Sequence, residues 1–267
     1  MFLNTVQPET VSLFSSTGSD PLGLFGTACD SALPSDSFIH LLVDKSSLPE
    51  PAPPATPICL PQRNEKSDDT ESSVSGLDLN QTVLHIQSPT IRTTYIRCPP
   101  TNSTQLGLKH PWIHIQVRDL GRDWSFEIGL VDRSSRVGVV RLSTFQKTPR
   151  LYTLGPSSPP LLHLPLSFPP ISSRPLTAWA TVTLHLPTLI AHFSSSATLP
   201  RGPESSSELG GALHTGASVL IPTPSFSHTS HVKVYATCRL RRIWFTQRGP
   251  SKPAPWEFEL YGDEFRE

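Results

Sequence analysis

Cysteine is scarce, and its spacing excludes more than its number does: Cys29, Cys59, Cys98 and Cys238 include no CxxC pair. That usage fits reduced, buried thiols of a cytosolic or nuclear protein better than a disulfide framework or a zinc site. Catalytic signatures are missing too. The chain has no GxSxG elbow, HExxH, P-loop or GxGxxG, and GLFGTA at 23–28 lacks the last glycine and any strand-to-helix context. His110 and His114 are four apart, a metal-gripping spacing on a helix. Pro111 and the alternating pattern around them predict a strand instead, on which the rings stand far apart as ordinary surface histidines. Glu257 and Glu259 flank Phe258 as a solvated strand face rather than a catalytic pair. No catalysis, metal, cofactor or small-molecule substrate is expected.

Long apolar runs are also absent. The best candidate, LTAWATVTLHLPTLIAHF, carries His185, Pro187, His192 and four threonines, and is a poor membrane span. The start MFLNTVQPET has neither a basic n-region nor a long apolar h-region, so no secretory signal is predicted and the sequons at Asn80 and Asn102 are expected to stay idle. Charge of one sign is missing only from the total, where 22 basic side chains balance 22 acidic ones. Along the chain the signs separate: residues 1–79 hold 3 basic and 11 acidic side chains, residues 80–150 hold 10 and 4, and residues 230–252 hold 6 basic and none acidic. The part that looks folded is basic and suits an acidic partner.

What is present is period two. In WIHIQVRDL, Ile113, Ile115 and Val117 share one face. Trp124, Phe126, Ile128 and Leu130 do so in DWSFEIGLVD, and RVGVVRLSTF and TAWATVTLHL repeat the habit. This predicts half-buried antiparallel strands, with LPTLIAHFSS as one short helix or turn. Trp124 shares parity with the core positions, whereas Trp112 and Trp179 fall on the more polar side. Twenty-nine prolines gather mainly in three segments, 30–79, 155–175 and 196–229, which are predicted as loops or disorder. The expected fold is one all-β domain over 1–267, an antiparallel β-sandwich or jelly roll with these insertions and at most one short helix.

The stretch HVKVYATCRLRRIWFTQR, residues 231–248, joins the two themes. Val232, Val234, Ala236, Cys238 and Leu240 form its inner face; Lys233, Tyr235, Thr237, Arg239 and Arg241 form the outer one. The phase then slips, because Ile243 and Phe245 are odd-numbered. Keeping the core side inward demands one extra residue near Arg241 and Arg242, a β-bulge. The outer side reads as a basic ridge of Lys233, Arg239, Arg241 and Arg242 flanked by Tyr235 and Trp244. It is either a solvated face whose arginines cover apolar surface or a docking ridge for carboxylates. A nuclear localisation signal fits less well, since such signals sit in flexible segments. Cys98 and Cys238 are expected to be inward-facing thiols of neighbouring strands.

Several pieces are more specific than composition: MFLNTVQPETVSLFSSTGSDPL, SPTIRTTYIRCP, LGLKHPWIHIQVRDLGRDWSFEIGLVD, STFQKTPR, HVKVYATCRLRRIWFTQR and PWEFELY, in this order. With them the chain resembles the cilia- and flagella-associated protein 20 family, small β-rich proteins of the axoneme. The resemblance implies a β-sandwich without catalytic activity at the inner junction of doublet microtubules. There it would touch tubulin and other axonemal proteins, with the basal body as a further location, and support cilium stability and beating. It also implies an alternative, a nuclear, nucleic-acid-associated role using the same arginines. A glycan-binding jelly roll is the third reading, since fold alone proves no function. The chain departs from the family pattern in its three insertions.

Overall fold

Strands that are apolar on one side are stable when two sheets share that side. The computed structural model describes residues 1–49, 81–153, 158–168, 178–195, 220–249, 256–258 and 260. In chain order these form β1 (Thr10–Ser15), β2 (Gly26–Ala28), β3 (Phe38–Val43), β4 (Thr82–Gln87), β5 (Tyr95–Cys98), β6 (Trp112–Asp119) and β7 (Ser125–Asp132). There follow β8 (Val137–Ser143), β9 (Arg150–Tyr152), β10 (Leu161–Pro165), β11 (Trp179–His185), the helix α1 (Leu186–Ser195), β12 (Phe226–Tyr235) and β13 (Cys238–Thr246). A 3-10 turn lies at Trp256–Phe258.

Sheet A runs β11-β6-β13-β4-β3, and β1 also pairs with β13. Strand β13 is long enough to hold β4 along Cys238–Leu240 and β1 along Arg242–Thr246, with β6 on its other side. Sheet B runs β2-β5-β12-β7-β8-β10-β9, antiparallel throughout except for β8 beside β10. The predicted all-β sandwich is the observed architecture. One core fills the space between the sheets, with Leu84, Ile86, Ile113, Ile115, Leu240, Ile243 and Phe245 from sheet A meeting Ile96, Phe126, Ile128, Val140, Val232 and Val234 from sheet B. Each such side chain taken from water contributes about 1.5–3 kcal/mol before ordering costs.

The predicted helix forms. Pro187 occupies its first turn, where its missing N–H costs no hydrogen bond, and Leu186, Ile190 and Phe193 make the buried stripe. A Cβ on Gly138 of β8 would stand 2.8 Å from the Phe193 ring, so only glycine lets the helix seat this closely.

Parts of the three segments predicted as loops are strands. FIHLLV, inside 30–79, is β3 and pairs with the whole of β4. LLHLP, inside 155–175, is β10. Strand β12 begins at Phe226, and just before it Thr223 donates to the Asp132 carboxylate through both its backbone N–H and its hydroxyl, each at 2.8 Å. Short apolar runs between prolines are outvoted in a composition average but still pair when an edge is offered. Within these segments, residues 50–79, 155–157, 169–175 and 196–219 lie outside the described residues.

Candidate functional site

The inner-face assignment of residues 231–248 holds: Val232, Val234, Ala236, Cys238, Leu240, Ile243 and Phe245 are all fully buried. The bulge is where the phase slip demands it, since β6 pairs Val117 with Leu240 and Gln116 with Arg242, leaving Arg241 as the extra residue. What the alternation does not reveal is the corner at Ala236 and Thr237. It carries the chain from β12 in sheet B to β13 in sheet A. Lys233 and Tyr235 therefore lie on the outside of one sheet, while Arg239, Arg241, Arg242 and Trp244 lie on the outside of the other. The six residues predicted as one ridge are two separate groups. Cys98 and Cys238 are both buried, as expected, but they belong to different sheets rather than to neighbouring strands.

On sheet A, outward does not mean exposed. Arg239 and Arg241 are 8% and 5% exposed, because a second layer covers this face. Its centre is Asp44, just past β3, whose carboxylate is fully buried. Arg239 donates to Asp44 Oδ1 at 2.6 Å and to the Asp44 carbonyl at 2.8 Å, and to the Ser47 hydroxyl at 2.7 Å. Arg118 of β6 and the Trp179 indole N–H donate to Asp44 Oδ2 at 3.1 and 2.8 Å. Arg241 donates to Gln81 at 2.9 Å, to Gln116 at 2.6 Å and to the Glu257 carbonyl at 3.2 Å. Burial, then the neighbouring Arg242, lowers its pKa to about 10, so it stays charged near neutrality.

The C-terminal turn completes the cover. Phe258 packs on Trp244 with ring centroids 4.9 Å apart, its ring lies 4.8 Å from the Arg242 guanidinium, and its carbonyl accepts from Gln116. Trp244, predicted as an exposed flank, is 4% exposed and stacked on His114. Arg242 is half-buried. His110 and His114, predicted at the surface, are buried. His110 hydrogen-bonds the Pro8 carbonyl, and His114 bridges the hydroxyls of Thr183 and Thr246. Trp179 is likewise buried rather than presented to a ligand. The solvated-face and docking-ridge readings of Arg239 and Arg241 both assumed open surface, which the Asp44 and Gln116 contacts remove.

On sheet B, the Lys233 ammonium sits 3.5 Å from the Tyr95 ring centroid and 4.5 Å from that of Tyr235. Arg141 of β8 makes an ion pair with Glu127 of β7, and its guanidinium lies 5.6 Å from the Tyr235 centroid. Burial and the adjacent carboxylate of Glu127 push the Tyr235 phenol well above its ordinary pKa. Sequence reasoning named Lys233 and Tyr235 but missed Glu127 and Arg141. Their signal was available, as opposite charges at outward positions of two strands joined by a short turn.

Among the described residues there is no group of three or more His, Cys, Asp or Glu side chains placed to hold a metal ion, and no helix is long and apolar enough to cross a membrane. The arrangement is a charged, hydrogen-bonded exterior on a two-sheet sandwich. Residues 63–188 match the model of the CFA20 domain. Over 189 residues, 70% of this chain, the sequence is 25% identical to the cilia- and flagella-associated protein 20 of Chlamydomonas reinhardtii, covering 78% of that protein. The proteins of the same name from Caenorhabditis elegans and Caenorhabditis briggsae are each 21% identical over 70% of the chain and 73% of their own length. The chain thus carries a stretch similar to the CFA20 domain and is similar, at modest identity, to proteins named cilia- and flagella-associated protein 20.

Proposed function

We propose that this is a non-enzymatic structural protein of the cilium or flagellum that binds tubulin at the inner junction of doublet microtubules and supports cilium stability and motility. The observation that carries this reading is the similarity to cilia- and flagella-associated protein 20 over 70% of the chain and 78% of the Chlamydomonas protein. Two physical features agree with it. A sandwich with a continuous core is a stiff spacer, and basic outer-face side chains suit an acidic polymer such as tubulin. Of the predicted ridge, Arg242 and Lys233 are the cations left partly accessible for such contacts, whereas Tyr235 and Trp244 are buried. Arg239 and Arg241 act by holding the β3 end and the C-terminal turn in place.

A fluorescently tagged copy expressed in a ciliated cell should label the axoneme and basal body, and averaged images of isolated doublets should gain density at the inner junction. In solution the purified chain should pellet with microtubules and do so less as salt rises. Excess DNA or RNA should not release it. A chain that stays in the supernatant while binding nucleic acid tightly would replace this reading with the nuclear one.

A further inference from the structure

The register of sheet B aligns its charges. Arg97 of β5 stands opposite Lys233 of β12, Lys233 opposite Glu127 of β7, Glu127 opposite Arg141 of β8, Arg141 beside His163 of β10, and His163 opposite Arg150 of β9. All six are outward positions, because their chain neighbours Ile96, Cys98, Val232, Val234, Phe126, Ile128, Val140, Leu142, Leu162 and Leu151 are buried in the core. One polar row thus crosses six of the seven strands, with four cations and one carboxylate. At about 4.8 Å per strand it is ~24 Å long, which an extended polypeptide rising ~3.4 Å per residue crosses with about seven residues.

The two outer faces differ in what their cations are doing. On sheet A, Arg118 and Arg239 share Asp44, and Arg241 is held by amide and carbonyl oxygens. On sheet B, Glu127 serves Arg141, while Arg97, Lys233 and Arg150 have no carboxylate in ion-pair contact among the described residues. Arg150 is exposed, and Arg97, Arg141 and Lys233 are half-buried. Burial lowers the pKa of Lys233 and of Arg97, the direction expected where charge lacks counter-charge. His163 is packed under Phe145 and Tyr152 with Nε2 on the Ser143 hydroxyl at 2.7 Å, and contributes shape rather than charge.

We propose that this row is a docking surface for an acidic, extended polypeptide segment, whose carboxylates pair with Arg97, Lys233 and Arg150. Nucleic acid is the poorer match. Single strands need open aromatic faces for stacking, and here Lys233 lies over both Tyr95 and Tyr235 while Arg141 flanks Tyr235. The inference rests on the microtubule reading for the identity of its partner, but the peptide measurement stands without it.

The test is fluorescence anisotropy of a labelled ten-residue poly-glutamate peptide titrated with the full chain at low salt. Three variants are compared, each first shown to keep the wild-type circular dichroism: Lys233→Gln/Arg150→Gln, Arg150→Gln alone, and Arg122→Gln at an exposed turn outside the row. The double variant is expected to bind roughly tenfold more weakly, Arg150→Gln to fall between, and Arg122→Gln to match wild type. If the double variant does not fold, Arg150→Gln against Arg122→Gln decides alone. Equal losses at Arg122 and in the row, or no loss in the row, overturn the proposal. So does an oligouridylate of equal charge that binds wild type at least as tightly and loses affinity in the row variants. Microtubule co-sedimentation of the same proteins separates the two ideas. Peptide binding with no microtubule pelleting rejects the microtubule reading and keeps the surface; microtubule pelleting by a protein whose row variants lose no peptide binding rejects the surface and keeps the reading.

Discussion

Replacing Asp44 by Asn should be among the most damaging single changes in the protein. The two side chains have nearly the same shape, so the effect isolates charge and hydrogen bonding. Asp44 accepts from Arg239 on one oxygen and from Arg118 and Trp179 on the other, and its side chain is fully buried. An asparagine amide turned either way sets an NH2 group against a donor: against Arg239, or against Arg118 and Trp179. The Arg118 side chain, 21% exposed, recovers part of its loss from water, but that of Arg239, at 10%, recovers little. Removing one partner of such a buried pair costs about 3–5 kcal/mol. For a chain of this size that lowers Tm by roughly 6–20 °C. The control is Glu9→Gln at the Arg248–Glu9 pair, whose side chains are 62% and 56% exposed, with an expected cost within about 0.5 kcal/mol. Urea denaturation of Asp44→Asn, Arg239→Met and the double variant should give a coupling energy of about 1–3 kcal/mol. An Asp44→Asn protein that melts within about 2 °C of wild type, or no lower than Glu9→Gln, would refute the reasoning.

Other expectations are simpler. Burial holds His114 and His163 at a pKa of about 4 against 6.5 when unfolded. The unfolded chain therefore binds more protons between these values, and stability is full above about pH 6.5 and drains as pH falls toward 4, on the order of a few kcal/mol in all. Melting curves from pH 7 to 4.5 should show this, and a His114→Gln/His163→Gln variant should be flatter; identical slopes would be contrary evidence. Cys29 should alkylate in the native state, whereas Cys98, pushed up to about 12 by burial, and Cys238, pushed higher still, should react only after denaturation; peptide mass spectrometry reads the sites, and fast native labelling of the buried pair would contradict the core assignment. Ile115→Ala in β6 removes a fully buried side chain and should cost about 2–5 kcal/mol in equilibrium unfolding; a loss below about 1 kcal/mol would mean that this part of the core is not close-packed.

Alternation was enough to place β6, β7, β8, β11 and the inward positions of β12 and β13, because each is long enough for period two to show. It also located the bulge at Arg241, since a phase slip between Leu240 and Ile243 has no other strand solution. The exposed ridge failed for a reason that alternation cannot encode. Parity reports which side of a sheet a residue faces, and says nothing of whether a later segment covers that side. Asp44 lies in a stretch assigned to loop on composition, and Phe258 far down the chain, yet these two decide that Arg239, Arg241 and Trp244 are buried. Of the row on sheet B only the Glu127–Arg141 pair was legible, because one hairpin joins its two strands; Arg97, Lys233 and Arg150 are scattered through the sequence and join that pair only through strand order.

The positions of β12 and β13 in the two sheets have a consequence for synthesis. Among the described residues these strands are made after every other strand, yet each sits inside its sheet: β1, β4 and β6 meet only through β13, and β5 meets β7 only through β12. A nascent chain that has passed β11 still owns only separate fragments, the pairs β3-β4, β6-β11 and β2-β5 and the four-stranded β7-β8-β10-β9, with one edge each of β4, β5, β6 and β7 unpaired. At ~5–20 residues per second that state lasts until residues 226–246 clear the ribosome, and open apolar edges are the sites at which chains aggregate. The two sheets therefore close late, when β12 and β13 arrive, rather than strand by strand. A stop codon anywhere before Phe226 should leave a chaperone-bound or degraded product, not a smaller working domain.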